Sequence, residues 1–122
     1  MVALGIHSTH YTMIPQSPLL KAAFVADALN LGPHWGYNQS MLARKFPQGI
    51  SDLAAPISQY HPGKKAGDFT HYGDNMALML RSFALTGKWN SSLYKSGWQQ
   101  YWQSSSSYVD GATKETLAHL ND

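Results

Sequence analysis

Apolar residues along this chain recur mostly at helical spacing, and short proline- or glycine-bearing stretches separate the runs. Leu20, Ala23, Phe24, Asp27 and Leu31 follow an i, i+3, i+4, i+7, i+11 pattern. Ser17-Pro18 supplies an N-cap and a first-position proline for this helix, and Gly32-Pro33 stops it. A short helix is predicted from about Gln39 to Lys45, ended by Phe46-Pro47, and the brief segment ISDLAAPI stops at Pro56. From Tyr60 to Asp74 the chain reads as loop, with no helical period. NMALMLRSFALTG is the strongest helical run; being apolar almost all round, it is predicted to be central and buried, with Gly87 as its stop. Asn90 is positioned to cap a further helix whose aromatic face is Leu93, Trp98, Tyr101 and Trp102, and the serine run at 104–107 weakens its end. Asp110 can cap a last helix carrying Leu117 and Leu120. No segment alternates as a strand would, no internal repeat is visible, and the short helices disfavour a coiled coil. The fold class read from the pattern is all-α.

Two polar features interrupt this pattern. Asp27 lies on the apolar stripe of the first helix, where a carboxylate must be paired, hydrogen-bonded or ligand-facing. Bonding to a neighbouring helix N-terminus or to loop N–H groups is the preferred reading. The second feature is FTHYGDNMALML, a polar knot directly before the apolar run. Asp74-Asn75 reads first as an N-cap. The sharper alternative makes Asp74 a ligand to a hard cation, with loop carbonyls completing an oxygen shell.

The remaining candidates are weaker. His34, His61 and His71 match no compact zinc motif in their spacing, so a structural role is expected for them. HPGKKAGD lacks the G-x-x-x-x-G-K-[ST] pattern and no strand precedes it, so it is not a P-loop. Trp35, Tyr37, Tyr60 and Tyr72 flank the loops; they are suited to line a pocket or stack on a base, although aromatic residues more commonly just pack. Neither a Gly-x-Ser-x-Gly elbow nor a metalloprotease motif occurs.

Composition narrows the function classes. The 122 residues suit one domain, and 13% are charged, about half the usual share of roughly 25%. That shortage points to a mostly buried chain or a missing partner surface. Net charge is +2 with histidines neutral, and no basic run exceeds Lys64-Lys65 in length, so nucleic-acid binding has little electrostatic support. With no cysteine, disulfides and cysteine-based metal sites are excluded. No apolar stretch approaches the roughly 20 residues of a membrane helix. The first sixteen residues do not read as a signal peptide, which leaves a cytoplasmic address as the expectation.

Four stretches in order carry a family resemblance: KAAFVADALNLGPHWGYN, HPGKKAGDFTHYGDNMALMLRSFA, the Trp/Tyr-rich helix, and YVDGATKETLAHL. Together they resemble the ADP-ribosylglycohydrolase family, and most of all its branch of J-type crystallins and selenoprotein J, over most of residues 14–122. The resemblance implies an all-α orthogonal bundle that binds magnesium and ADP-ribose and, in its enzymes, hydrolyses the bond to C1″ of the ribose. It implies Asp27, His34, Trp35, His71, Tyr72 and Asn75 as ligand-binding residues and Asp74 as a metal ligand. Catalytic residues are not assigned by it. The family's early Gly-Asp-Ala reads here as Ala26-Asp27-Ala28, and its Thr-Asp-Asp as Tyr72-Gly73-Asp74. His34-Trp35 stands where the enzymes often carry an acidic residue. Losing a carboxylate at Gly73 removes both charge and a ligand from a magnesium site.

Family members are about two to three times longer, a difference that bears on domain completeness. The resemblance therefore implies that residues 13–122 form an N-terminal part of the domain, with 1–12 an extension of low order and Met13 the natural start. The glycine-rich phosphate loop and an Asp-x-Asp metal motif belong to the missing part. Two functions follow as expectations. One is metal-assisted hydrolysis of an ADP-ribosyl linkage by the intact protein, with this chain alone inactive. The other is a non-catalytic, crystallin-like or ADP-ribose-binding role. A second copy of the chain or a C-terminal half is the expected partner for its exposed apolar faces.

Overall fold

A computed structural model describes residues 17–121 of the chain. The expected extension over residues 1–12 and the start at Met13 lie outside those residues. Five helices follow in order: α1 (Pro18–Asn30), α2 (Gln39–Lys45), α3 (His71–Thr86), α4 (Ser91–Ser104) and α5 (Gly111–Asn121). There is no strand among the described residues, only one isolated bridge between Pro47 and Gly49, so the all-α class holds.

Local chemistry explains most boundaries. The Ser17 hydroxyl faces the Leu20 N–H and Pro18 opens α1. Asn38 and Asn90 carboxamide oxygens each accept a backbone N–H at 2.9 Å, from Met41 and Leu93 respectively. Asp110 accepts the Thr113 N–H at 2.8 Å at the start of α5. Gly87 ends α3 in a left-handed conformation, φ 68°, and its N–H donates to the Phe83 carbonyl. The serine run does end α4, at Ser104.

One expected boundary is corrected. α3 begins at His71, with Thr70 as its N-cap, so Asp74 lies in the first turn and caps nothing. ISDLAAPI forms no regular element.

α3 is the hub: α1 packs on it from one side and α4 from another, while α5 packs on α4. It is central, but it is not buried all round as expected. Leu85 is 57% exposed, and Met79 also reaches solvent. The buried apolar side chains among the described residues are Ala28, Leu31 and Trp102, while His61, Thr70, His71, Ser82 and Thr113 are buried polar residues. The interior at the α1–α3 junction is therefore polar, and its stability depends on donors and acceptors being matched.

Candidate functional site

Asp27 and the start of α3 define the site. The apolar stripe of α1 carries Asp27 toward α3, where its two carboxylate oxygens accept the Thr70 backbone N–H at 2.8 Å and the Thr70 hydroxyl at 2.6 Å. The Thr70 oxygen in turn accepts the Tyr72 N–H at 3.2 Å. One carboxylate from a distant helix thus fixes the N-cap of α3 and adds negative charge at its positive end. This is the reading preferred for Asp27 from the sequence.

Gly73 makes that approach possible. A Cβ at residue 73 would collide with the Asp27 carboxylate, lying 2.7 Å from its Cγ and 2.7 Å from Phe69 Cβ. The space that a side chain at residue 73 would take is accordingly occupied by the carboxylate of Asp27.

Beside this contact lies a cleft of about 380 Å³, lined by Asp27, Asn30, Pro33, His34, Thr70 and Tyr72. Tyr72 is 63% exposed at its rim. A larger groove of about 470 Å³ runs between α3 and α4, past Leu78, Arg81, Leu85, Leu93, Tyr94 and Tyr101. Size favours the groove, but chemistry favours the cleft, which joins a half-buried carboxylate, an imidazole and an exposed phenol.

Behind the cleft stands an aromatic stack. Trp35, held at φ 56°, lays its ring against His34, His61 and His71 at centroid distances of 4.6, 5.1 and 4.9 Å. His34 Nδ1 and His61 Nε2 are 2.9 Å apart, so one carries the proton and the other accepts it. His71 Nε2 is 3.3 Å from the Asp110 carboxylate, while its Nδ1 is buried without a partner among the described residues.

Burial holds these imidazoles neutral. His34 is lowered from 6.5 to about 4, first by burial and then by the neighbouring His61 and His71, with Asp27 opposing. His61 and His71 are also lowered, chiefly by burial. Lys64 adds to the lowering of both, whereas Asp74 opposes it for both and Asp110 and Asp27 oppose it for His71. The unfolded chain therefore binds more protons than the folded one between pH 6.5 and about 4, and stability falls as pH drops through that window. Allowing for solvent screening, the expected loss is about 1–2 kcal/mol. Asp110, depressed below 3.8 chiefly by its bond to Thr113, adds a loss only at lower pH. Urea unfolding at pH 7.5 and 4.5 checks this. The drop should shrink in His34→Gln, and an unchanged drop would contradict the assignment.

Asp74 pairs with the loop that precedes α3. Its Oδ2 lies 2.6 Å from Lys64 Nζ, with both side chains close to 90% buried at 11% and 12% exposure. Tyr101 from α4 lies within reach of the same charge, and burial followed by the Asp74 carboxylate pushes its phenol up to about 12. Asn75 turns to α4, where its Oδ1 accepts both indole N–H groups, from Trp98 at 2.7 Å and from Trp102 at 3.0 Å.

Of the residues expected to bind ligand, Asp27, His34 and Tyr72 thus meet at the cleft. Trp35 and His71 lie behind it, and Asn75 serves helix packing instead. Three participants escaped sequence reading. Thr70 gave no usable signal, because the readable helical run starts only at Asn75, five residues later. Lys64 and the His34–His61 pair depend on contacts that no local pattern announces.

The donor set does not fit a magnesium ion. Asp74 already meets an ammonium, Asp27 is engaged by Thr70, and no group of three His, Asp or Glu among the described residues is arranged to hold a metal. Among the described residues no helix is long and apolar enough to cross a membrane. Comparison with family models, with characterised proteins and with solved structures finds no match for this chain.

Proposed function

We propose that the chain binds an ADP-ribosyl group in the cleft between the end of α1 and the start of α3, as the first part of an ADP-ribosylglycohydrolase-like orthogonal bundle, and does not itself hydrolyse the bond. The observation that carries this reading is the cleft itself, in which Asp27, Asn30, His34, Thr70 and Tyr72 converge from two stretches that carry the family resemblance. Its volume lies in the ordinary range of about 300–1,000 Å³ for small-molecule sites. The exposed Tyr72 ring, edge-on to His34 at 5.8 Å, offers a stacking surface for a planar base. Neutral His34 and Asn30 offer hydrogen bonds to ribose hydroxyls.

Hydrolysis is disfavoured by the state of the carboxylates. A carboxylate serves as general base only where it is free to take a proton from water. Here Thr70 engages both oxygens of Asp27, and Asp74 is neutralised by Lys64.

Calorimetric titration with ADP-ribose in EDTA is expected to give one site, weakened about tenfold or more by Tyr72→Ala and by His34→Ala. An unaltered chain that shows no affinity would remove the binding reading and leave a structural, crystallin-like one. Release of ADP-ribose from a modified protein by this chain would remove the claim that it does not hydrolyse.

A further inference from the structure

HPGKKAGD is the one singled-out stretch that the proposed ligand site does not use, and its fold gives it a purpose. His61 is 6% exposed and anchored by His34, which fixes one end of the loop. The Lys64 N–H then turns back to the His61 carbonyl at 3.3 Å, and the Asp68 N–H to the Lys65 carbonyl at 3.1 Å. The Asp68 carboxylate accepts the Lys65 N–H at 2.7 Å and tightens the second turn. Gly63 takes φ 77° immediately before Lys64, a conformation that favours glycine. The result is a lysine whose stem is covered and whose ammonium sits 2.6 Å from Asp74 at the first turn of α3.

We infer that Lys64 is the resident cation of this site: its ammonium neutralises Asp74 permanently and takes the place that a divalent metal ion would otherwise fill. A buried carboxylate requires a partner charge, and the chain supplies one from a loop ten residues earlier. A magnesium ion would need near-octahedral oxygen ligands and would face the positive ammonium at close range. It would also have to compete for the carboxylate oxygen that the Lys64 ammonium already meets at 2.6 Å. The neighbouring His61 and His71, buried and neutral, contribute no anionic oxygen. The inference does not rest on ADP-ribose binding, since metal uptake is read without nucleotide.

Manganese, a magnesium surrogate visible by electron paramagnetic resonance, gives the test. The unaltered chain mixed with equimolar Mn²⁺ should leave the signal of the free ion unchanged. Lys64→Met, which keeps the stem and removes the repelling charge, should raise the affinity of the chain for Mn²⁺ about tenfold or more over the parent. Uptake of one Mn²⁺ by the unaltered chain, abolished by Asp74→Asn, would overturn the inference. A folded Lys64→Met chain that gains no affinity would also overturn it. Should that variant fail to fold, the ¹⁵N resonance of the Lys64 ammonium in the unaltered chain decides. An unshifted resonance on adding MgCl₂ supports the resident cation, and displacement of the resonance contradicts it.

Discussion

Gly73→Ala is expected to destabilise the chain by about 3 kcal/mol, among the largest single-methyl effects available in this fold. In an ordinary helix the same change would stabilise by up to about 1 kcal/mol, because alanine loses less backbone entropy than glycine. The sign reverses here because the new methyl would enter the space of the Asp27 carboxylate and stand 2.7 Å from Phe69 Cβ. Neither neighbour is the free end of a flexible chain: Asp27 is held by two bonds to Thr70, and Phe69 Cβ is fixed by its own backbone. Relief therefore requires α1 and α3 to separate or the Thr70 cap to break. Urea unfolding at pH 7.5 measures the change, and a variant within about 0.5 kcal/mol of the parent would show that the helices do not meet here.

Asp27→Ala comes next, with an expected loss of about 2–4 kcal/mol. The side chain contributes little apolar packing, so the loss comes from the groups left behind. Thr70 is 1% exposed, and without Asp27 both its N–H and its hydroxyl lose their acceptor. Asp27→Asn should cost less, since its amide oxygen can still accept one of the two bonds. Combining Asp27→Ala with Gly73→Ala gives a sharper result. Removing the carboxylate makes room for part of the new methyl, so the double variant should be less destabilised than the sum by about 1 kcal/mol or more. Strict additivity would mean that the two residues do not compete for one space.

The two substitutions also bear on binding, because Asp27 and Thr70 line the cleft that they hold together. Loss of the cap would free the first turn of α3, where Tyr72 sits, so affinity and stability should fall together in Asp27→Ala. By contrast, Tyr72→Ala removes an exposed ring and should weaken binding with little effect on unfolding.

How much was legible in the sequence follows from the range of each interaction. Ser17-Pro18, Asn90, Asp110 and Gly87 mark helix ends through bonds to residues three or four positions away, so their chemistry is local and readable. The start of α3 was misread for a physical reason. Asp and Asn are strong caps, and the apolar period begins only after Asn75, whereas His71, Tyr72 and Gly73 are indifferent or poor helix formers. They are helical because Asp27, 43 residues earlier, holds Thr70 in place. Asp27 itself was legible because a carboxylate on an apolar stripe demands a partner. The identity of that partner was not, and neither was the Lys64–Asp74 pair, which depends on how two turns fold a loop. Asn75 illustrates the converse. Its place next to a metal-like motif suggested a ligand contact, but the aromatic face of α4 brings two indole donors to it and turns it inward.

Mapping ADP-ribose onto the chain by amide chemical shifts, once in EDTA and once in MgCl₂, tests the central claim most directly. The expected result is a compact set of shifted amides at Asn30, His34, Thr70 and Tyr72, the same in both solutions. Shifts confined to the α3–α4 groove around Leu85, Tyr94 and Gln100, or shifts at the cleft that appear only with magnesium, would contradict it.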